Sequence, residues 1–168
     1  MSNINRLAPQ ERRDVLADLL ELNPGARVET ARDGYLALRL PGEIGLRFFF
    51  YPYPLVEPFG EQELAVASAI DLGLMKLGAI ISRGGKRDFV DLCLLCRELP
   101  LEQLLSRAAE KFGHVGDFRL QALKGLADTA AATGEPMPLL TRKLDWSEVE
   151  RWVTLEVETA GRELLAAP

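Results

Sequence analysis

Between Pro9 and Leu22 the apolar residues Val15, Leu16, Leu19, Leu20 and Leu22 recur at helical spacing, and Asn23-Pro24-Gly25 supplies a stop, so the pattern predicts a first helix. The period then changes to two. Arg27-Val28-Glu29-Thr30 and Tyr35 to Leu40 flank Asp33-Gly34, a hairpin signal, and Pro41-Gly42-Glu43 leads into a third strand from Ile44 to Tyr51. The Phe48-Phe49-Phe50 run predicts a strand with apolar neighbours on both faces. Three prolines between Pro52 and Pro58 exclude helix interior and central strand, leaving an extended connector. Beyond it the pattern is helical: Ser68 to Ser82, Lys86 to Arg97, Leu101 to Phe112, Asp117 to Ala132 and Asp145 to about Leu165. Ser68 and Asp145 each stand three residues before a carboxylate, as N-caps do. The expected class is α+β, a small antiparallel sheet of about three strands followed by a helical C-terminal half.

Composition narrows the function classes. With 168 residues, 48% of them hydrophobic, the chain can fold as a single domain, with a helix and β layer over 1–58 and a helical half over 59–168. A formal charge of −5 gives no overall positive field for nucleic acid or membrane, so anion binding would need a local basic patch. Cys93 and Cys96 have redox-motif spacing but lie mid-helix, where they read as small apolar residues. Two Cys and one His cannot build a four-ligand zinc site, so no metal ligand is assigned. No apolar run is long enough to span a bilayer, and Met1 to Gln10 lacks signal-peptide order, which predicts a cytoplasmic protein without membrane contact. His114 reads as an exposed loop residue, and Trp146 and Trp152 as packing residues.

The basic patch is found between Lys76 and Leu92. Lys76 precedes Arg83 by two helical turns, Gly84-Gly85 frees the backbone for a turn, and Lys86, Arg87 and Asp88 open the next helix, whose amides favour an anion. Asp91 shares a face with Asp88. Such a corner suits a polyphosphate, although acidic residues in a first helical turn also satisfy the helix dipole, and Arg87 can pair with Asp91 at i, i+4. A P-loop is excluded, because Arg87 stands where Ser or Thr should hold magnesium and a helix precedes the glycines.

Three segments together carry a family resemblance: Phe48 to Pro58, then Met75-Lys76-Leu77-x-Ala79-x-x-x-Arg83-Gly84-x-Lys86-Arg87-Asp88-Phe89-x-Asp91-Leu92, then Glu135-Pro136-Met137-Pro138. From about Leu16 to Leu155 the chain resembles the AbiEii/AbiGii toxin family of nucleotidyltransferases. The resemblance implies a nucleotidyltransferase-like fold, magnesium as cofactor, a nucleoside triphosphate as substrate, and in some members the toxin role of a bacterial abortive-infection pair or modification of tRNA ends. It implies Lys76 and Asp88 as catalytic residues, Lys76, Arg83, Lys86 and Arg87 as phosphate contacts, and Asp91 in support.

The sequence has no Gly-Ser or Gly-Gly near its start and no D-x-D pair, whose carboxylates hold the metal ions in the family it resembles. The expectation is therefore a truncated nucleotidyltransferase-like domain that binds nucleotide or a partner without catalysing transfer by itself. Two alternatives stand beside it: an active enzyme whose metal carboxylates come from another chain or a second copy, and an unrelated helical interaction protein. Loss of a covering element would also leave the third strand exposed, which predicts a homo-oligomer or a partner chain through the sheet region.

Overall fold

A computed structural model describes residues 9–59 and 65–166. Residues 1–8, most of the Met1 to Gln10 segment that lacks signal-peptide order, lie outside them. The chain divides into two compact units, Met1–Pro52 and Tyr53–Pro168.

In the first unit, helix α1 spans Pro9–Leu22 and strands β1 (Arg27–Arg32), β2 (Tyr35–Leu40) and β3 (Ile44–Phe49) form an antiparallel sheet in the order β1-β2-β3. Asn23 ends α1 by donating its side-chain amide to the Leu19 carbonyl at 2.8 Å. The first hairpin turns at Gly34 in left-handed conformation (φ 71°), and the second carries left-handed backbone at both Gly42 and Glu43, with the Glu43 carbonyl held by Arg39. The register pairs Leu36, Leu38 and Leu40 with Phe48, Leu46 and Ile44, so these six share one face. Tyr35, Ala37, Arg39, Phe49, Arg47 and Gly45 share the other. Leu38 and Ala37 are the strands' buried residues, both on the central strand. The expected burial of the Phe run on both faces is not found: Phe48 and Phe50 are half-buried and Phe49 is 54% exposed. Among the described residues β3 is an edge strand, with a neighbour on one flank only, and its alternation sends Phe49 to the face that also carries Arg47 and Arg39.

No helix or strand forms across the proline-rich connector. The second unit then contains α2 (Ala69–Ser82), α3 (Lys86–Leu95), α4 (Leu101–Phe112), α5 (Phe118–Ala127), the single turn α6 (Ala130–Thr133) and α7 (Trp146–Ala166). Both anticipated N-caps form. The Ser68 hydroxyl accepts from the Asp71 amide at 3.1 Å, and Asp145 and Glu148 exchange bonds as a capping box. The helix expected over Asp117 to Ala132 is broken, because Asp128 leaves helical geometry (φ −96°, ψ 85°) and its carboxylate accepts from the Ala130 amide. That local side-chain bond competes with the helical ladder.

Helix α2 is central, packing against α3, α4 and α5 while α7 covers α3 and α5. Its small residues set the distances. A Cβ at Gly73 would stand 2.7 Å from both methyls of the fully buried Leu104, and one at Gly78 would stand 3.3 Å from the Phe112 ring. Gly73→Ala gains about 1 kcal/mol of helix propensity but forces Leu104 into neighbouring core at a cost of about 2 kcal/mol. A net loss of about 1 kcal/mol is expected in urea denaturation; a stabilised variant would contradict this tight crossing.

Candidate functional site

The corner between α2 and α3 brings together residues that lie fifteen positions apart. Lys76, on the third turn of α2, donates to Asp91 at 2.6 Å and to Asp88 at 3.3 Å. Arg83, the C-cap of α2, places Nε 2.7 Å from Asp88 Oδ2 and Nη2 2.9 Å from Oδ1, a two-pronged grip on that carboxylate. Gly84 in left-handed conformation (φ 57°) turns the chain, so Asp88 lies in the first turn of α3 beside the Arg83 side chain. Asp88 is buried, whereas the Arg83 and Arg87 side chains are 67% and 77% exposed. Arg87 stands 3.8 Å from Asp91 across one turn, the local pairing anticipated from spacing.

Burial alone would raise the Asp88 carboxyl pKa. The hydrogen bond and charge of Arg83, aided by Lys76, outweigh burial and hold it below the ordinary carboxylate range. Asp88 is therefore an ionised carboxylate of low basicity, suited to positioning the two cations and poorly suited to taking a proton.

Lys86 goes elsewhere. Its side chain is buried, its Nζ donating to the carbonyls of Thr133 at 3.0 Å and Glu135 at 2.5 Å and lying 4.8 Å over the Trp146 ring. The Lys86 backbone amide donates to Glu135 Oε2 at 2.7 Å. The anion favoured by the N-terminus of α3 is thus supplied by the chain itself, from 49 residues downstream. Lys76, Arg83, Arg87, Asp88 and Asp91 form one cluster, buried at Asp88 and open to solvent at the two arginines, while Lys86 ties α3 to the Thr133–Glu135 loop. Two clefts of about 330 and 440 Å³, against the start and the middle of α7, are lined by none of these residues.

Magnesium, implied by the resemblance, does not fit this cluster. Both Asp88 oxygens already accept from Arg83 and Lys76, Asp91 holds the Lys76 ammonium, and no group of three His, Cys, Asp or Glu side chains among the described residues is placed to hold a metal ion.

The remaining chemistry-bearing side chains pack. Cys93 is in the core, and burial pushes the Cys96 thiol up to about 12 and Cys93 upward as well, so neither is a thiolate at neutral pH. His114 is exposed, stacked on Tyr53 at 5.3 Å, and Trp146 meets Phe89 edge-on. A second ionic centre escaped the sequence reading. Asp71 and Lys111, both fully buried, pair at 2.7 Å; Asp71 also accepts from the Val56 and Glu57 amides, and Lys111 donates to the Pro54 carbonyl. This pair fastens residues 54–57 of the connector to α2 and α4. Its signal was Lys111 on the apolar stripe of α4, at the position after Leu104 and Ala108 in the i+4, i+3 sequence.

Comparison of the chain with protein-family models, curated proteins and solved structures found no match. No helix among the described residues is long and apolar enough to cross a membrane.

Proposed function

We propose that this chain is a nucleotidyltransferase-like protein of the AbiEii type that binds the phosphates of a nucleoside triphosphate at the α2–α3 corner without catalysing transfer by itself. The observation carrying this reading is the joining of Lys76, Arg83, Asp88 and Asp91 into one hydrogen-bonded network, with Arg87 3.8 Å from Asp91 at its edge and both arginines open to solvent. Four cations (Lys76, Arg83, Lys86, Arg87) stand at this corner against three carboxylates (Asp88, Asp91, Glu135), which leaves a positive excess of one in an acidic chain. Asp88 holds Arg83 through Nε and Nη2, orienting the guanidinium while leaving Nη1 for a phosphate oxygen. Arg87 supplies a second, solvated contact. Lys76, whose ammonium is shared between two aspartates, positions the network. The poor fit of Asp88 and Asp91 to a metal favours binding over transfer at this corner.

Calorimetric titration of the purified chain with ATP, with and without magnesium, tests this. Binding is expected in both conditions, at least tenfold weaker in Arg83→Ala/Arg87→Ala and weakening with salt. No measurable binding would overturn the proposal. Efficient nucleotide transfer by the chain alone, abolished by Lys76→Ala, would overturn its non-catalytic part, and transfer appearing only on addition of a second chain would replace it with the shared-site enzyme.

A further inference from the structure

The two outer edges of the sheet differ. β1 carries Arg27, Glu29 and Arg32, and a bulge interrupts its pairing between Val28 and Thr30, devices that discourage a further strand. β3 has an unbroken register and one charge, Arg47. The Phe50 amide donates to the Gly34 carbonyl at 2.8 Å, and in the same register Ile44, Leu46 and Phe48 direct their backbone groups to β2. Gly45, Arg47 and Phe49 therefore turn their N–H and C=O groups outward. Among the described residues those groups have no backbone partner.

We propose that two copies of this chain pair antiparallel through the outer edge of β3, about a two-fold axis at Phe48. The register follows from symmetry and charge. A two-fold axis perpendicular to the sheet keeps each side chain on its own face, so only residues an even number of positions apart can be opposite one another. Centring the axis on Arg47 sets two arginines directly opposite, which is repulsive. Centring it on Leu46 requires Glu43, whose backbone is left-handed (φ 62°), to continue the ladder opposite Phe49. Centring it on Phe48 sets Arg47 opposite Phe49 of the partner subunit, a cation beside an exposed ring, and Leu46 opposite Phe50 of the partner subunit. The apolar face that carries Leu36, Leu38, Leu46 and Phe48 then continues across the axis into a six-stranded sheet. Phe49, more than half exposed in one copy, gains cover from the other.

Sedimentation equilibrium of the full chain over a range of concentrations tests the proposal, with circular dichroism confirming that each variant folds. The 18.6 kDa chain is expected to approach twice that mass as concentration rises. Phe49→Lys, which opposes Arg47, should remain monomeric where the natural chain is dimeric. Phe49→Glu makes an equally polar change but faces Arg47 with an opposite charge, so it should keep the dimer. Arg47→Glu/Phe49→Lys, which inverts the pair, should restore it. A natural chain that stays monomeric, including one whose edge takes up only a different protein's strand, would overturn the proposal. So would dimerisation of Phe49→Lys equal to that of the natural chain, or a folded double variant that remains monomeric.

Discussion

Asp71→Ala is expected to destabilise the helical unit by about 3–5 kcal/mol, the usual cost of breaking a buried ion pair by removing one partner. The substitution strips a fully buried ammonium of its carboxylate and also removes the acceptor for the Val56 and Glu57 amides and the Ser68 hydroxyl. Lys111→Met should cost less. It leaves the Asp71 carboxylate buried without its cation, but that carboxylate keeps three hydrogen-bond donors, whereas Asp71→Ala leaves the ammonium and all three donors without their shared acceptor. Both tryptophans, Trp146 and Trp152, lie in the second unit, so tryptophan fluorescence in urea reads the stability of that unit alone. An Asp71→Ala loss below about 1 kcal/mol, the level of an exposed pair, or a Lys111→Met loss exceeding it, would contradict the assignment of Asp71 as the organising group.

That pair marks where legibility in the sequence ended. Periodicity revealed the elements because each needs only its neighbours: the switch from spacing 3–4 to spacing 2 after Gly25, the turns at Gly34 and Gly42, and the caps at Ser68 and Asp145 all lie within one or two turns of chain. The signature was legible for the same reason. Lys76, Arg83, Asp88 and Asp91 sit on two successive helices joined by two glycines, so helical geometry alone brings them near one another. What was not legible depends on returns from far along the chain. Lys86 looks like a fourth solvent cation until Glu135 comes back across 49 residues to cap its amide and bury its ammonium. Asp71 looks like an ordinary first-turn acid until Lys111 arrives from 40 residues away. The Phe run showed its strand but not its place at the sheet edge, since strand order depends on pairing and not on alternation. The break at Asp128 was legible in principle, because Asp followed by Thr is capping chemistry inside an otherwise helical pattern.

Acid should unfold the helical unit through the same carboxylates. Burial raises the Asp71 pKa, but the Lys111 hydrogen bond and the Val56, Glu57 and Ser68 donors outweigh it and bring it from 3.8 to about 2. The sign follows from linkage. A carboxylate whose pKa is lower in the folded chain contributes its full stabilisation above the unfolded value, loses it as pH falls between 3.8 and about 2, and contributes none below. For Asp71 alone the loss across that window is about 2 kcal/mol. Asp88, held down by Arg83 against its burial, acts in the same direction, whereas Glu156, raised by burial, acts in the opposite one. Urea titrations read by tryptophan fluorescence at successive pH values should show stability falling steeply below pH 4. Asp71→Asn should be less stable than the natural chain at pH 7 yet decline with a visibly shallower slope, and Asp71→Asn/Asp88→Asn shallower still. If the three chains lost stability in parallel on acidification, the acid response would have to originate outside these two buried carboxylates.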